Sequence, residues 1–439
     1  MFIFRSFLLA LGVLGLAACG GHEAEIPAED AMGPNPVLPA PTTSMVPTVN
    51  IADAVGWPMN GKPKAADGLA VAAFAGDLDH PRWLYVLPNG DVLVAETNAP
   101  PKGEEAGGGI KDWFAGLFMD QAGAGSASAN RITLLRDTDQ DGVADVKVPF
   151  IQGLNSPFGM ALVGDKFYVA NADGIVRFDY QDGATELTSP MAKVADLPGG
   201  PINHHWTKNI IASPDGKRLY AAVGSNSNVG ENGLENEKDR AAILEVDLAS
   251  GDSVLYASGL RNPVGLAWDN ETGKLWTVVN ERDELGSDLV PDYLTSVTAD
   301  AFYGWPYSYW GQHVDDRVEP QNPELVAKAI KPDYALGNHV APLGLTFSEG
   351  TLLPERFRSG AFIGQHGSWN REPRAGYNVV FVQFAGGQPV GKPVDVLTGF
   401  VNADDEAMGR PVGVAFDRAG ALLVADDVGN IIWRVTPAP

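Results

Sequence analysis

The chain has 439 residues, 45% hydrophobic and 20% charged, enough for one large domain or two to three ordinary ones and too apolar for a disordered chain. Its 55 acidic against 31 basic side chains give a formal charge of −24, which argues against nucleic acid or an anionic membrane surface as partner. The single cysteine, Cys19, excludes a disulfide framework and any internal cysteine-based metal or redox site.

In chain order, MFIFR reads as a short basic n-region and SFLLALGVLGLA as an apolar h-region. Leu16-Ala17-Ala18-Cys19 reads as a lipobox. These features predict a signal peptide over 1–18, cleavage before Cys19 and lipidation of its thiol. The protein is then anchored at the periplasmic side of the envelope, at the outer membrane. An ordinary signal peptide cleaved nearby would leave the compartment unchanged. Residues 19–68 are expected to be the lipidated cysteine and an N-terminal extension, with a flexible tether from Gly20 to about Ser44.

Beyond Asp77 the pattern is short β runs broken by turns, with almost no helical periodicity. Six units align, beginning at His80, Asn155, His205, Arg261, His339 and Arg410. Most consist of a proline near a strand start, a strand, a Gly-containing turn, a second strand and a third such as GIVRFDY or GNIIWRV. Six similar antiparallel sheets predict an all-β, six-bladed β-propeller over 69–439, with loop insertions. A sandwich or a two-domain β protein is the alternative. In a propeller the first strand of each blade lines the channel, and all six run the same way. His80, Asn155, His205, Arg261 with Asn262, His339 and Arg410 should therefore meet at one channel end, although His80 and Arg410 lie 330 residues apart. Each alone reads as a turn or capping residue; together they suit an anion with acid–base chemistry beside it.

Other stretches carry weaker signals. Asp137, Asp139, Asp141 and Asp145, with Gly142, match the first half of an EF-hand calcium loop. Val148 stands where the bidentate Glu belongs, so a polar hairpin turn is the competing reading. Glu281, Arg282, Asp283 and Glu284 follow the second strand of the fourth unit. They could hold a hard cation at the channel mouth or be a solvated acidic loop. Phe302-Tyr303-Gly304-Trp305 reads as a packed corner. Ser368 sits in a GSW context without a GxSxG elbow, which argues against serine hydrolysis. The Gly103–Gly125 insertion, with WFAGLFM at its centre, reads as a mobile loop, the alternative being a lid or a partner-facing patch.

At HWTKNIIASPDGKRLYAAVGS, AAILEVDLASG, GLRNPVGLAWD, YGWP, HVAPLGLTF, HGSWNR and GRPVGVAFD the chain resembles the soluble pyrroloquinoline-quinone (PQQ)-dependent sugar dehydrogenases. The similarity is greatest to their sorbosone dehydrogenase-like branch, and it spans Leu69 to Thr436. The resemblance implies a six-bladed propeller with PQQ at the channel end. A tricarboxylate quinone needs cations on its carboxylates, an electrophile on its reactive carbonyl and a general base for the substrate hydroxyl.

By resemblance His205 is the catalytic histidine, with His204 a distant second. Arg261 and Asn262 contact the cofactor and its reactive carbonyl, and Arg410 binds a carboxylate. Lys208, Arg371 and Asn155 are further cofactor contacts, and the 281–284 loop marks where backbone carbonyls hold a Ca²⁺. Two departures stand out. Ser225-Asn226 replaces the aspartate that backs the histidine in glucose-oxidising members, and Leu154-Asn155 replaces a glutamine. The expected function is oxidation of a sugar or aldehyde, with electrons passed to a periplasmic acceptor. A non-catalytic envelope propeller is the alternative. A propeller lactonase would need a carboxylate–Asn cluster on the axis, where this chain puts His and Arg.

Overall fold

Each proline-led apolar run forms a strand and returns through a tight turn where a glycine takes positive φ, as Gly90 (100°) and Gly420 (88°) do. In the computed structural model, which describes residues 23–43, 48–101, 125, 127–348 and 350–439, these hairpins build six antiparallel sheets. The expected signal peptide, Cys19 and the WFAGLFM insertion lie outside the described residues. The innermost strands, called a, are Pro81–Val86, Met160–Val163, Lys208–Ala212, Asn262–Asp269, Pro342–Phe347 and Pro411–Phe416, for blades 1 to 6. Their partners, called b, are Val92–Glu96, Lys166–Asn171, Arg218–Val223, Lys274–Asn280, Gly360–Gln365 and Leu422–Asp426. Among the described residues the one α-helix is Pro323–Val326.

Each strand a touches the next, and blade 6 touches blade 1, so the ring closes. The recurrent glycine of the Pro-x-Gly motif makes this possible. A β-carbon on Gly265 would lie 2.7 Å from Leu345 of blade 5, and one on Gly413 would lie 2.8 Å from the Arg82 carbonyl of blade 1. On Gly344 it would overlap the Val412 carbonyl of blade 6. Leu69–Ala75 pairs with Ile431–Pro437 as the outermost strand of blade 6, so the two ends of the propeller are clasped in one sheet.

The expectation of a free tether needs correction. Residues 23–43 and 48–65 form a strap packed on blades 4 to 6. Met32–Gly33 extends blade 4 beside Leu336, and Lys64–Ala65 extends blade 5 beside Thr398. Between them Thr42 donates to the Leu285 carbonyl, Asn50 to that of Trp369, and Trp57 Nε1 to Asp426 at 2.7 Å. The Ala- and Pro-rich composition hid this because the strap is held by backbone hydrogen bonds and isolated anchors, without an apolar period.

Substituting Gly344 by Ala should cost about 1–3 kcal/mol by prying blades 5 and 6 apart. Urea denaturation measures this; an unchanged midpoint would mean the ring is not packed this tightly.

Candidate functional site

Strand b runs antiparallel to strand a, so the residues just before each a and just after each b share one end of the ring. That places His80, His205, Arg261, Asn262, His339 and Arg410 together with the turn residues Gly224 to Asn228, Glu281 to Asp283, His366 and Asp427. All but His205, His366, Asp283, Gly224 and Asn228 stand out from the bulk charge of the chain by being both polar and at least nine-tenths buried.

His205 is half-buried and set by the Ser225 turn. Its Nδ1 lies 2.9 Å from the Ser225 carbonyl and 3.1 Å from Ser225 Oγ. The hydroxyl donates its own proton to the Ser227 carbonyl at 2.6 Å, so both neighbours of Nδ1 are acceptors. Nδ1 therefore carries the hydrogen, and Nε2, which has no protein partner among the described residues, presents a lone pair. Burial, then the charges of His204 and Arg261, hold this imidazole well below its ordinary 6.5. The backing aspartate is thus replaced by a carbonyl and a hydroxyl. A carboxylate stands one step back: Glu237 accepts from Asn226 N at 2.8 Å and from Ser227 Oγ, fixing the turn. Gly224 lets this turn pass, because a β-carbon there would overlap Asn262 Oδ1 and the His205 side chain.

Arg261 spends its whole guanidinium inside the protein. It donates to the carbonyls of Asn228, Asn280 and Glu281 (2.6 Å), to Asn228 Oδ1 and to Asp283 Oδ2 (3.0 Å). Asp283 is the hub of this wall, accepting also from Asn370 Nδ2 at 2.7 Å and lying 3.6 Å from His339 Nδ1. Burial alone would raise Asp283, but Arg261, His339 and Asn370 hold it down to about 2. His339 is the complement: burial would lower it, yet Asp283 and Asp292 raise it, and its Nε2–H donates to the Gly286 carbonyl at 3.0 Å.

On the far wall Arg410 lies over the Tyr377 ring at 5.1 Å and donates to its hydroxyl at 3.2 Å, under the strap carbonyl of Ala52. Asp427 pairs with Arg82 at 2.7 Å and His366 at 2.9 Å, with His80 3.6 Å away. One side chain of blade 6 thereby joins blades 1 and 5, a span available only near the axis.

Several expected residues point elsewhere. Lys208 is fully buried and donates to Asn203 Oδ1 and to the carbonyls of His205 and Trp206, bracing the loop that carries His205. Arg371 holds the Ser287 and Pro373 carbonyls, and Asn155 is exposed. Arg282 is buried against Glu281, Asp315 and the carbonyls of Pro306 and Ser308. Trp305, in the expected packed corner, donates to the Asn228 carbonyl.

The 281–284 segment does not fit a calcium ion as folded. The Glu281 carbonyl accepts from Arg261, that of Asp283 from Arg317 and Asn228, and Glu284 points to solvent. Asp137, Asp139 and Asp145 do converge, with ligand oxygens within 4.8 Å of one another, whereas Asp141 caps Val143 N. Their loop follows the third strand of blade 1, at the end of the ring opposite His80. A cation there would staple a turn and take no part in chemistry at the mouth.

A quinone tricarboxylate fits the mouth better. Asn262 Oδ1, Gln365 Nε2, Asn370 Oδ1, Arg410 Nε and His80 Nε2, from four blades, are buried without a hydrogen-bond partner among the described residues. Each such atom costs about 1–3 kcal/mol, which a polar ligand would recover. Sequence reasoning placed Ser225 behind His205 and read Asp283 only as a cation ligand, not as the partner of Arg261 and His339; it missed Asp427 and Glu237. The turn rule that found the strand starts also applies to the strand-b ends, where LLVAD-Asp427 and FIGQ-His366 sit.

His205 is neutral in the fold, and its folded value lies below that of the unfolded chain. Its contribution to stability is therefore complete above pH 6.5 and lost as pH falls through the folded value; His339 runs the opposite way. Urea midpoints between pH 7.5 and 5 should fall for the natural chain and fall less for His205→Gln. Equal falls would place the imidazole in solvent.

Among known proteins, a TrAA12-like family model matches residues 117–300 and 311–438, well over half of the chain. An uncharacterized protein of Borreliella burgdorferi is 28% identical over 292 residues, 64% of this chain and 76% of that protein. The pyrroloquinoline quinone-dependent pyranose dehydrogenase of Coprinopsis cinerea is 24% identical over 361 residues, 72% of this chain; the chain spans only 44% of that protein. The solved holo form of the pyranose dehydrogenase PQQ domain from Coprinopsis cinerea superposes with a TM-score of 0.68 at 20% identity, covering 87% of this chain and 98% of that one. At that identity the superposition establishes the six-bladed fold. The chain belongs to the TrAA12-like family.

Proposed function

We propose that this chain is a PQQ-dependent dehydrogenase that oxidises a sugar or aldehyde at the channel mouth, with His205 as general base. The observation that carries this is the fixed tautomer of His205, whose Nδ1–H is held by Ser225 and whose Nε2 lone pair has no protein partner among the described residues. The printed name of the Coprinopsis relative and the unpartnered polar atoms from four blades support the cofactor.

When bound, PQQ would supply the hydride acceptor. Arg410 would hold a carboxylate of it through the Nε–H that lacks a protein partner, and Asn262 Oδ1, an acceptor, would take only the cofactor's own ring N–H. Arg261 acts from behind, its charge keeping the base neutral and its hydrogen bonds fixing Asn228 and Asp283. Nε2 of His205 takes the proton of the substrate hydroxyl, and the Ser225 carbonyl and hydroxyl stabilise the resulting imidazolium. A neutral acceptor does this less strongly than a carboxylate, which suits substrates whose hydroxyl is readily deprotonated, such as hydrated aldehydes and sorbosone-like sugars. Calcium belongs to the proposal only as a turn staple at Asp137. Export, lipidation of Cys19 and electron transfer to a periplasmic acceptor complete it, on the N-terminal sequence alone.

A non-catalytic envelope propeller is the second reading, favoured by the missing carboxylate behind His205. Dye reduction by PQQ-loaded protein against aldoses and aldehydes separates the two. The enzyme reading expects turnover that His205→Ala lowers at least about a hundredfold while PQQ stays bound. Bound PQQ without turnover on any member of the panel would favour the binding protein.

A further inference from the structure

The carboxylate-backed histidine of this chain is not His205. It is His366, just after strand b of blade 5, whose Nε2 lies 2.9 and 3.2 Å from the two oxygens of Asp427. The backbone N–H of His366 donates to the Ala341 carbonyl at 2.9 Å, beside the start of strand a, so the ring stands at the channel mouth. Asp427 is buried and held ionised, since the hydrogen bond from His366 and the charge of Arg82 overcome its burial and keep it far below the carboxylate range. An ionised carboxylate can only accept, so Nε2 of His366 carries the hydrogen and Nδ1 is left bare. Nδ1 has no protein hydrogen bond among the described residues, and the side chain is 18% exposed. His80, also near Asp427, is more enclosed, and its Nε2 lies 3.6 Å away.

We propose that His366, oriented by Asp427, is a second proton-accepting residue of this site, on the wall across the channel from His205. The inference rests on the dehydrogenase reading. Oxidising a C–OH carbon to a carbonyl removes the hydroxyl proton and a hydrogen with its bonding pair. His205 takes the first. The second travels as hydride to the cofactor, and it becomes a proton when a two-electron acceptor, or two equivalents of a one-electron dye, removes the pair. Blade 3 carries one base and the blade 5–6 wall carries the other, so each proton has its own exit. Asp427, His80, Arg82 and Arg410 are the charged and titratable groups around His366, and they set the pH at which it works. Burial outweighs Asp427 and lowers its imidazole to about 4, so Nδ1 is bare at neutral pH and returns a proton to water quickly.

The test has two arms. Imidazole ¹⁵N NMR of the full chain without cofactor, assigned through His366→Gln, should show His366 at pH 7 as the Nε2–H tautomer, and Asp427→Asn should disturb that preference. A protonated Nδ1 would overturn the proposal. In PQQ-loaded protein, His366→Gln should leave substrate-driven bleaching of the quinone within about twofold while slowing steady-state dye reduction at least about tenfold. His205→Ala should lose the bleaching step itself. Equal loss of both steps in His366→Gln, or loss of neither, would make His366 a structural residue. Failure of the natural chain to take up PQQ would sink the dehydrogenase reading and this proposal with it, whatever the tautomer.

Discussion

Closure of the ring is the constraint on which everything else depends. Six inner strands must approach more closely than β-carbons allow, and Gly265, Gly344 and Gly413 provide the room. Once they meet, every hairpin brings the start of its strand a and the end of its strand b to one rim. Residues hundreds of positions apart are then neighbours with no further requirement. The Leu69–Ala75 clasp keeps the ring from opening, and the strap over blades 4 to 6 ties the loops of that rim to the body.

The rim concentrates charge in a chain that is strongly acidic overall, and its buried carboxylates Asp283 and Asp427 are paired, whereas the Arg410 guanidinium has no carboxylate partner among the described residues. Arg261 and His339 share Asp283, and Arg82 and His366 share Asp427. Buried pairs of this kind contribute little net stability, because desolvation offsets much of the attraction. Their value is geometric. Three histidines of one rim stand in three settings: His205 lowered chiefly by burial, His339 raised by Asp283 and Asp292, and His366 carboxylate-backed. Asp292 and Asp426 serve the scaffold in the same region. Burial lifts them to about 7 and about 6, and their oxygens accept from the backbones of Glu281, Ala341, Arg410 and Gly429.

The six-fold repeat was legible because proline, glycine and turn signals recur with each blade, and because strand starts must converge when a ring closes. The place of His205 and Arg410 on one rim was legible for the same reason. The direction of a guanidinium was not. Arg261, Arg282 and Arg371 are equally good cation candidates in sequence, yet the fold spends their donors on carbonyls that no local pattern reveals. The strap escaped notice because a backbone-bonded, Pro-rich segment has the composition of a linker. Glu237 escaped because its partners, Asn226 and Ser227, matter only once the Ser225 turn is known to hold His205.

On the proposed reading the unpartnered polar atoms of the rim form the seat of a tricarboxylate quinone. Absorbance titration of the metal-stripped protein with PQQ tests it most directly. Saturation at one equivalent per chain is expected, with affinity reduced at least about tenfold by Arg410→Ala, one lost charge-assisted contact being worth about 1.4 kcal/mol or more. An absence of saturable binding, with or without added Ca²⁺, would contradict it.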